Sequence, residues 1–148
     1  MKRKSLILPV LMVLMLIPII IGCRTIDEEA LSFADRATEK YLDAINKQDY
    51  SAYGEDMDSV MLGVVTEEEF LKFSSYLKDT IGEYIKDSKK YSGYTVKNGN
   101  TLVVYRAEYT LEEEGVTVTT VISKTGEGIY KISGSWFDSP KLREVQYK

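Results

Sequence analysis

The sequence contains no histidine, and cysteine and tryptophan occur once each. Without histidine, the chain lacks the commonest general base near neutral pH and the commonest metal ligand. Zinc sites that combine histidine with cysteine are therefore excluded, as are Ser-His-Asp and Cys-His catalysis. A single cysteine also excludes an intrachain disulfide, so the fold depends on an ordinary apolar core. Carboxylate or tyrosine chemistry remains open, and we expect no metal and no cofactor.

The chain also has few basic residues relative to acidic ones, with 19 Lys and Arg against 23 Asp and Glu. Three of the basic residues lie within residues 1–22, a segment that contains no acidic residue: Lys2, Arg3 and Lys4. The remainder of the chain therefore carries −7, three units below the whole-chain charge of −4. This balance argues against nucleic acid as a partner and against electrostatic attachment to an anionic leaflet.

A sixteen-residue run without charge, residues 6–21, follows the basic start and is interrupted by Pro9 and Pro18. A basic region, an apolar region and a small residue before a processing site are typical of an export signal. The run is shorter than the roughly 20 residues that span a bilayer. We therefore predict a signal peptide over residues 1–22, with an uncleaved membrane helix as the alternative.

The segment Ile20-Ile21-Gly22-Cys23 resembles the bacterial lipoprotein signal, in which an aliphatic residue, a tolerated residue and Gly or Ala precede Cys. The resemblance implies that Cys23 carries the lipid and becomes the new N-terminus. It further implies a membrane-anchored protein on the outer, extracytoplasmic face of the cell membrane. Residues 23–27 would then form the lipidated N-terminus and a short tether, and residues 28–148 a single α+β domain.

Two segments of the predicted domain show helical periodicity. Thr25 and Glu28 form a capping-box pattern, which predicts a first helix that ends at about Lys47. Thr66 and Glu69 form a second such pattern, and the following helix is predicted to end at Gly82. A short helical turn is expected between them, over residues 51–57.

After Gly82 the apolar pattern alternates, as in strands. The predicted strands cover residues 84–96, 101–111, 116–124 and 129–137. The predicted turns lie at residues 97–100, 112–115 and 125–128, and Asn98-Gly99 in the first is a strong hairpin signal. Residues 138–148 show no pattern and are expected to form an extended tail. Helices followed by an antiparallel meander predict an α+β fold, with N-terminal helices packed on a curved antiparallel sheet of about four strands.

This order of elements resembles the nuclear-transport-factor-2-like superfamily, a cone-shaped α+β fold that is also described as cystatin-like. The similar phrases are residues 44–50, the pair Ile81-Gly82 and the late aromatic segment 129–138. The resemblance implies a sheet that curves around a pocket. Relatives include isomerases or dehydratases as well as non-catalytic binding modules, and no pattern here carries the enzymes' catalytic roles onto particular residues.

Aromatic side chains are the candidate pocket-lining residues. Tyr105 and Tyr109 share one face of the second predicted strand, and Trp136 is expected beside them on a neighbouring strand. Tyr41 lies on the inner stripe of the first helix. These rings either line an apolar pocket or pack as the core beneath the helices.

The sequence therefore favours a membrane-tethered, non-catalytic module that binds a ligand or interacts with a protein. We expect its partners to be the membrane, through the lipid on Cys23, and a small apolar ligand or an envelope protein. A homodimer formed through the open sheet face is a further expectation. The alternative function is a small isomerase or dehydratase that uses a pocket carboxylate and a tyrosine.

Overall fold

The computed structural model describes residues 27–146, which form helices packed against a four-stranded antiparallel sheet. The predicted α+β fold, with helices on a curved sheet, is confirmed. The strands are adjacent in chain order, β1-β2-β3-β4. The elements are α1 (Glu28–Lys47), α2 (Tyr50–Gly54), α3 (Ser59–Val64), α4 (Glu67–Ile81), β1 (Lys90–Lys97), β2 (Asn100–Tyr109), β3 (Glu112–Lys124), β4 (Tyr130–Asp138) and α5 (Pro140–Gln146).

The first helix ends where the sequence predicted, but its N-terminal cap differs. Asp27 is the N-cap, and its carboxylate accepts a hydrogen bond from the Glu29 backbone N–H at 3.1 Å. The predicted cap, Thr25, lies outside the described residues. At the other end Gln48 adopts a left-handed conformation with φ of 54°, which terminates the helix after Lys47.

The predicted cap and end of the second long helix are confirmed in α4. The Thr66 hydroxyl accepts a hydrogen bond from the Glu69 N–H at 3.3 Å. Gly82 follows the last helical residue with φ of 84°, a conformation that glycine adopts without steric cost. The face predicted to be buried contains the buried residues Phe70, Ser74, Leu77 and Ile81.

The short helical turn predicted over residues 51–57 corresponds to α2, which ends at Gly54, and a second short helix that was not predicted, α3, follows it. Asp49 caps α2 by accepting from the Ala52 N–H at 3.0 Å, and Asp58 caps α3 by accepting from the Met61 N–H at 2.8 Å. Helix α3 buries none of its residues although most of them are apolar, so no buried face of helical spacing indicated it in the sequence.

Three predicted boundaries in the second half are wrong. The first strand begins at Lys90 rather than at residue 84, and Tyr84 makes only an isolated bridge to Tyr109. The turn between β2 and β3 lies at residues 110–111 rather than 112–115, because Glu112 already pairs with Tyr109. The tail contains helix α5, which begins at Pro140, a residue that fits the first turn of a helix.

The core lies between the helices and one face of the sheet. Val103, Tyr105, Ala107 and Tyr109 of β2 are all buried on this face, as their alternation predicted. One apolar cluster joins them to buried residues of α1, α2, α4 and α5. Within residues 27–146, no helix has the length and apolar character needed to cross a bilayer.

Candidate functional site

The structure separates the four predicted pocket residues. Tyr41, Tyr105 and Tyr109 are buried between the helices and the sheet, whereas Trp136 lies on the opposite face and is 48% exposed. Trp136 pairs with Thr119, and the adjacent Phe137 occupies the helix-facing position opposite Val118. The prediction that Trp136 shares a face with Tyr105 is therefore wrong.

A β-bulge in β4 causes this reversal. The register shifts so that Val121 pairs with Gly134 while Ile122 pairs with Ile132, which leaves Ser133 as the extra residue. Side chains alternate strictly along a regular strand, so one extra residue moves every later side chain to the other face. Trp136 would face the helices if the alternation from Ile132 continued unbroken.

Tyr41 belongs to a buried network of hydroxyl groups. Its phenol is 2.9 Å from the Thr120 hydroxyl, which is also 2.9 Å from the hydroxyl of Thr38. Burial raises the pKa of Tyr41 well above its ordinary value. The ring packs edge-on against Tyr53 and Phe137. These contacts give Tyr41 a packing role in the core.

Tyr109 differs because its hydroxyl is buried without a hydrogen-bond partner among the described residues. It borders a small, partly open cavity of about 10 Å³ that Asn46 and Ser74 also line. That volume is close to the minimum needed by one water molecule and is too small for an organic ligand. Burial raises the pKa of Tyr109, so its phenol stays protonated.

Tyr105 reaches a larger opening at the surface, between α1 and the hairpin of β1 and β2. We call this opening the α1–β1 groove, and it has a volume of about 260 Å³. Its walls are mostly apolar, and Tyr91 is 52% exposed beside it. The Tyr91 and Tyr105 rings meet at 72°, with centroids 6.4 Å apart. The groove is lined by Leu31, Ser32, Asp35, Tyr91 and Tyr105.

One end of the groove is charged because of Lys89. The Lys89 side chain is only 5% exposed, although it is not part of the apolar core. Its ammonium forms an ion pair with Asp35 and lies 3.8 Å from Glu39. It also lies 4.6 Å from the centre of the Tyr105 ring, which is a cation–π contact. Lys89 therefore joins the apolar groove to the charged surface next to it.

That charged surface forms a second, polar depression of about 540 Å³ that shares Asp35 with the groove. Glu39 organises it by accepting hydrogen bonds from the Tyr84 hydroxyl at 2.8 and 2.9 Å and from the Asp87 N–H at 3.1 Å. Burial raises the pKa of Tyr84, and the Glu39 carboxylate adds to the shift. The depression is lined by Asp35, Arg36, Glu39, Lys40, Asp43, Lys86, Asp87 and Lys89.

Of the residues that line the α1–β1 groove, only Tyr105 was predicted from the sequence to line a pocket. Asp35 and Glu39 are one helical turn apart beside the apolar stripe of α1, and this spacing is the signal that could have indicated a charged groove wall. Lys89 carried no such signal, because it lies in an irregular segment whose path depends on the contact between Glu39 and Tyr84.

Between residues 27 and 146, no group of three or more acidic or cysteine side chains is arranged to hold a metal ion. The acidic loop before α3 is already paired within the protein. Lys40 forms ion pairs with Glu55 and Asp56, and Asp58 caps α3.

The arrangement combines aromatic and aliphatic walls with a nearly buried ammonium and a carboxylate at one end. Such a groove can hold an apolar or aromatic body while its charged end orients a polar group.

Comparison with known proteins assigns the chain to no family. No protein-family model matches it, and a search of curated proteins gives no significant match.

Proposed function

We propose that this chain is an exported lipoprotein whose domain binds a small amphipathic molecule at the extracytoplasmic face of the cell membrane. The leader pattern that ends at Cys23 supports the anchor, and Cys23 lies outside the described residues. The order of helices and strands supports membership of the nuclear-transport-factor-2-like superfamily. The observation that carries the binding function is the α1–β1 groove.

The groove has the composition of a ligand site rather than of a packing defect. Its exposed walls are predominantly apolar, although they lie at the surface of an acidic domain. Lys89 and Asp35 supply one charge of each sign at its end. A ligand with an aromatic or aliphatic body and one polar end matches this distribution.

The same contacts favour binding over catalysis. The alternative enzyme needs a carboxylate whose pKa is raised in a desolvated pocket. The carboxylates beside the groove are already engaged within the protein: Asp35 and Glu39 neighbour the ammonium of Lys89, and both oxygens of Glu39 accept hydrogen bonds. The buried acidic side chain of the described region is Glu112, which bonds the first residues of α5 rather than facing the groove.

The anchor is tested by replacing Cys23 in the full chain. We expect the native protein to incorporate labelled palmitate and to enter the detergent-rich phase of Triton X-114, because each buried methylene contributes about 0.8 kcal/mol. Cys23→Ser should remove both properties. Label that persists on the Cys23→Ser protein would refute the assignment of Cys23.

The groove is tested with 1-anilinonaphthalene-8-sulfonate, an aromatic probe with one anionic group. Its rings fit the apolar walls, and its sulfonate can approach Lys89. We expect saturable binding, and Tyr91→Ser should weaken the affinity roughly tenfold because the loss of one aromatic contact is worth about 1.4 kcal/mol.

Leu111 provides the matched control, because it is 51% exposed and lies in the turn between β2 and β3, away from the groove. Leu111→Ser should leave the affinity of the probe unchanged. Equal losses in both variants, or none in Tyr91→Ser, would show that the dye does not occupy the groove.

A further inference from the structure

The lipid and the folded domain are separated by very little chain. Only four peptide units connect Cys23 to Asp27, the N-cap of α1. Even a fully extended chain of that length spans at most about 14 Å. If Cys23 carries the lipid, as the proposed function holds, the start of α1 is confined to the vicinity of the membrane surface.

The contacts of α1 show which end of the domain this is. Asp27 accepts a hydrogen bond from the hydroxyl of Tyr130, the first residue of β4. Toward the other end of α1, the Asn46 side chain donates to the carbonyl oxygen of Tyr84, which bridges to Tyr109 at the end of β2. Helix α1 therefore runs along the sheet from the turn between β3 and β4 to the turn between β2 and β3.

Apolar side chains are exposed at the end where α1 begins. Ile129 lies in the turn before β4 and is 53% exposed. Val96 and Tyr94, near the turn between β1 and β2, are also exposed. Both turns lie at the same end of the sheet, since Val96 pairs with Thr101 and Thr101 with Ile122. Tyr94 and Val96 lie on the edge strand β1 and Ile129 lies before β4, and we call these three exposed side chains at one end of the sheet the proximal apolar surface.

The charged residues at this end of the domain do not favour electrostatic attraction to an anionic membrane. Exposed lysines at this end, Lys97 and Lys124, are offset by exposed Glu28, Glu29 and Glu127. An attraction to anionic headgroups would need an excess of basic residues. Apolar side chains held beside a bilayer instead gain free energy when they enter the interface, and a covalent lipid removes most of the cost of bringing them there.

We propose that the proximal apolar surface contacts the lipid headgroup region and fixes the orientation of the domain on the membrane. In this orientation, the long axes of α1 and of the sheet point away from the bilayer. The turn between β2 and β3 lies farthest out, on the order of 40 Å along the thirteen residues of β3.

Single cysteine labels test this orientation cleanly, because acylation consumes the only native thiol. The full-length chain would be acylated in a bacterial host and reconstituted in phosphatidylcholine vesicles. An environment-sensitive fluorophore is attached to Ile129→Cys or, as the matched control of equal exposure, to Leu111→Cys. A label at Glu127→Cys, in the same turn as Ile129, checks that the result does not depend on loss of the isoleucine.

We expect the labels at positions 129 and 127 to shift to the blue on reconstitution and to be quenched by doxyl-labelled lipid. The label at 111 should show neither effect, and phosphatidylglycerol in the vesicles should change none of the signals. Absence of quenching at 129 and 127, equal quenching at 111, or quenching at 129 and 127 that requires the anionic lipid would each overturn the proposal. A chain that gains no acyl mass and does not float with the vesicles would overturn the proposed function itself, and this inference with it.

Discussion

Two buried tyrosines differ in whether their hydroxyl groups are satisfied. Tyr41 bonds to Thr120 at 2.9 Å, whereas the Tyr109 hydroxyl has no partner among the described residues. Removing a satisfied hydroxyl costs about 1 kcal/mol, but removing an unsatisfied one relieves a desolvation penalty. We expect Tyr41→Phe to lower the free energy of unfolding by about 1 kcal/mol and Tyr109→Phe to leave it unchanged or raise it by up to about 1 kcal/mol.

Urea denaturation followed by circular dichroism measures both changes, and each variant serves as the control for the other. Both substitutions remove the same atom from a buried ring, so differences in apolar burial cancel. A loss of about 1 kcal/mol in Tyr109→Phe would show that an ordered water satisfies its hydroxyl in the adjacent small cavity.

Glu112 makes the free energy of unfolding depend on pH in the acidic range. It is 5% exposed and accepts a hydrogen bond from the Lys141 N–H at 3.2 Å. Burial alone raises the pKa of Glu112, but hydrogen bonds from Ser139, Lys141 and Glu114 favour the charged form and leave the pKa below its ordinary value. A carboxyl whose pKa is lower in the folded state stabilises the protein above its unfolded pKa of about 4.3, and this stability is lost as pH falls through the folded pKa.

We therefore expect the free energy of unfolding to fall below about pH 4.3 and the fall to be shallower in Glu112→Gln. Urea midpoints measured from pH 6 to pH 3 would test this. Glu113, an exposed neighbour, supplies the control: Glu113→Gln should retain the native dependence. Identical pH profiles for the native chain and Glu112→Gln would contradict the role of Glu112.

The residue scale also shows what the sequence could and could not predict about the site. Burial of Tyr41, Tyr105 and Tyr109 followed from periodicity alone. The face on which Trp136 lies could not be predicted, because no residue pattern in the sequence indicates the bulge at Ser133. The ammonium of Lys89 reaches Asp35 and Tyr105 only through tertiary contacts, so no local spacing predicts that this lysine is nearly buried.

At the scale of elements, two glycines respond oppositely to the same substitution. A Cβ on Gly82 would lie 2.1 Å from the Thr110 hydroxyl oxygen and 2.8 Å from the Leu111 nitrogen, at a φ of +84°. A Cβ on Gly63, within α3, meets no described atom within 4 Å. We expect Gly82→Ala to destabilise the domain by more than 1 kcal/mol and Gly63→Ala to stabilise it by up to about 1 kcal/mol.

Thermal unfolding of the two variants beside the native chain would measure these changes. Because both add one methyl group to a glycine, their comparison separates the effect of the positive φ and close neighbours at Gly82 from that of the methyl group itself. Equal midpoints for Gly82→Ala and the native chain would mean that the loop from α4 to β1 can relax around the new methyl group.

Element ends were predictable where a local chemical signal determines them. The cap at Thr66, the terminator Gly82 and the left-handed pair Asn98-Gly99 all lie where the sequence indicated. Predictions were wrong where tertiary contacts set the boundary. Glu112 belongs to β3 because it pairs with Tyr109, although its position in an acidic triplet before Gly115 is typical of a turn.

At the scale of the whole molecule, the two layers share one core and should unfold together. Trp136 reports on the sheet from the face opposite α1, while far-ultraviolet circular dichroism reports mainly on the helices. Because a single apolar cluster joins both layers and no disulfide is available to hold either alone, we expect the two probes to give coincident urea transitions in Cys23→Ser, unaffected by reductant. Calorimetry should give an unfolding enthalpy of about 80 kcal/mol near 60 °C for a domain of this size. If the tryptophan signal changed before the dichroism, the sheet would be a separate unit and the α1–β1 groove, which needs both layers, would open first.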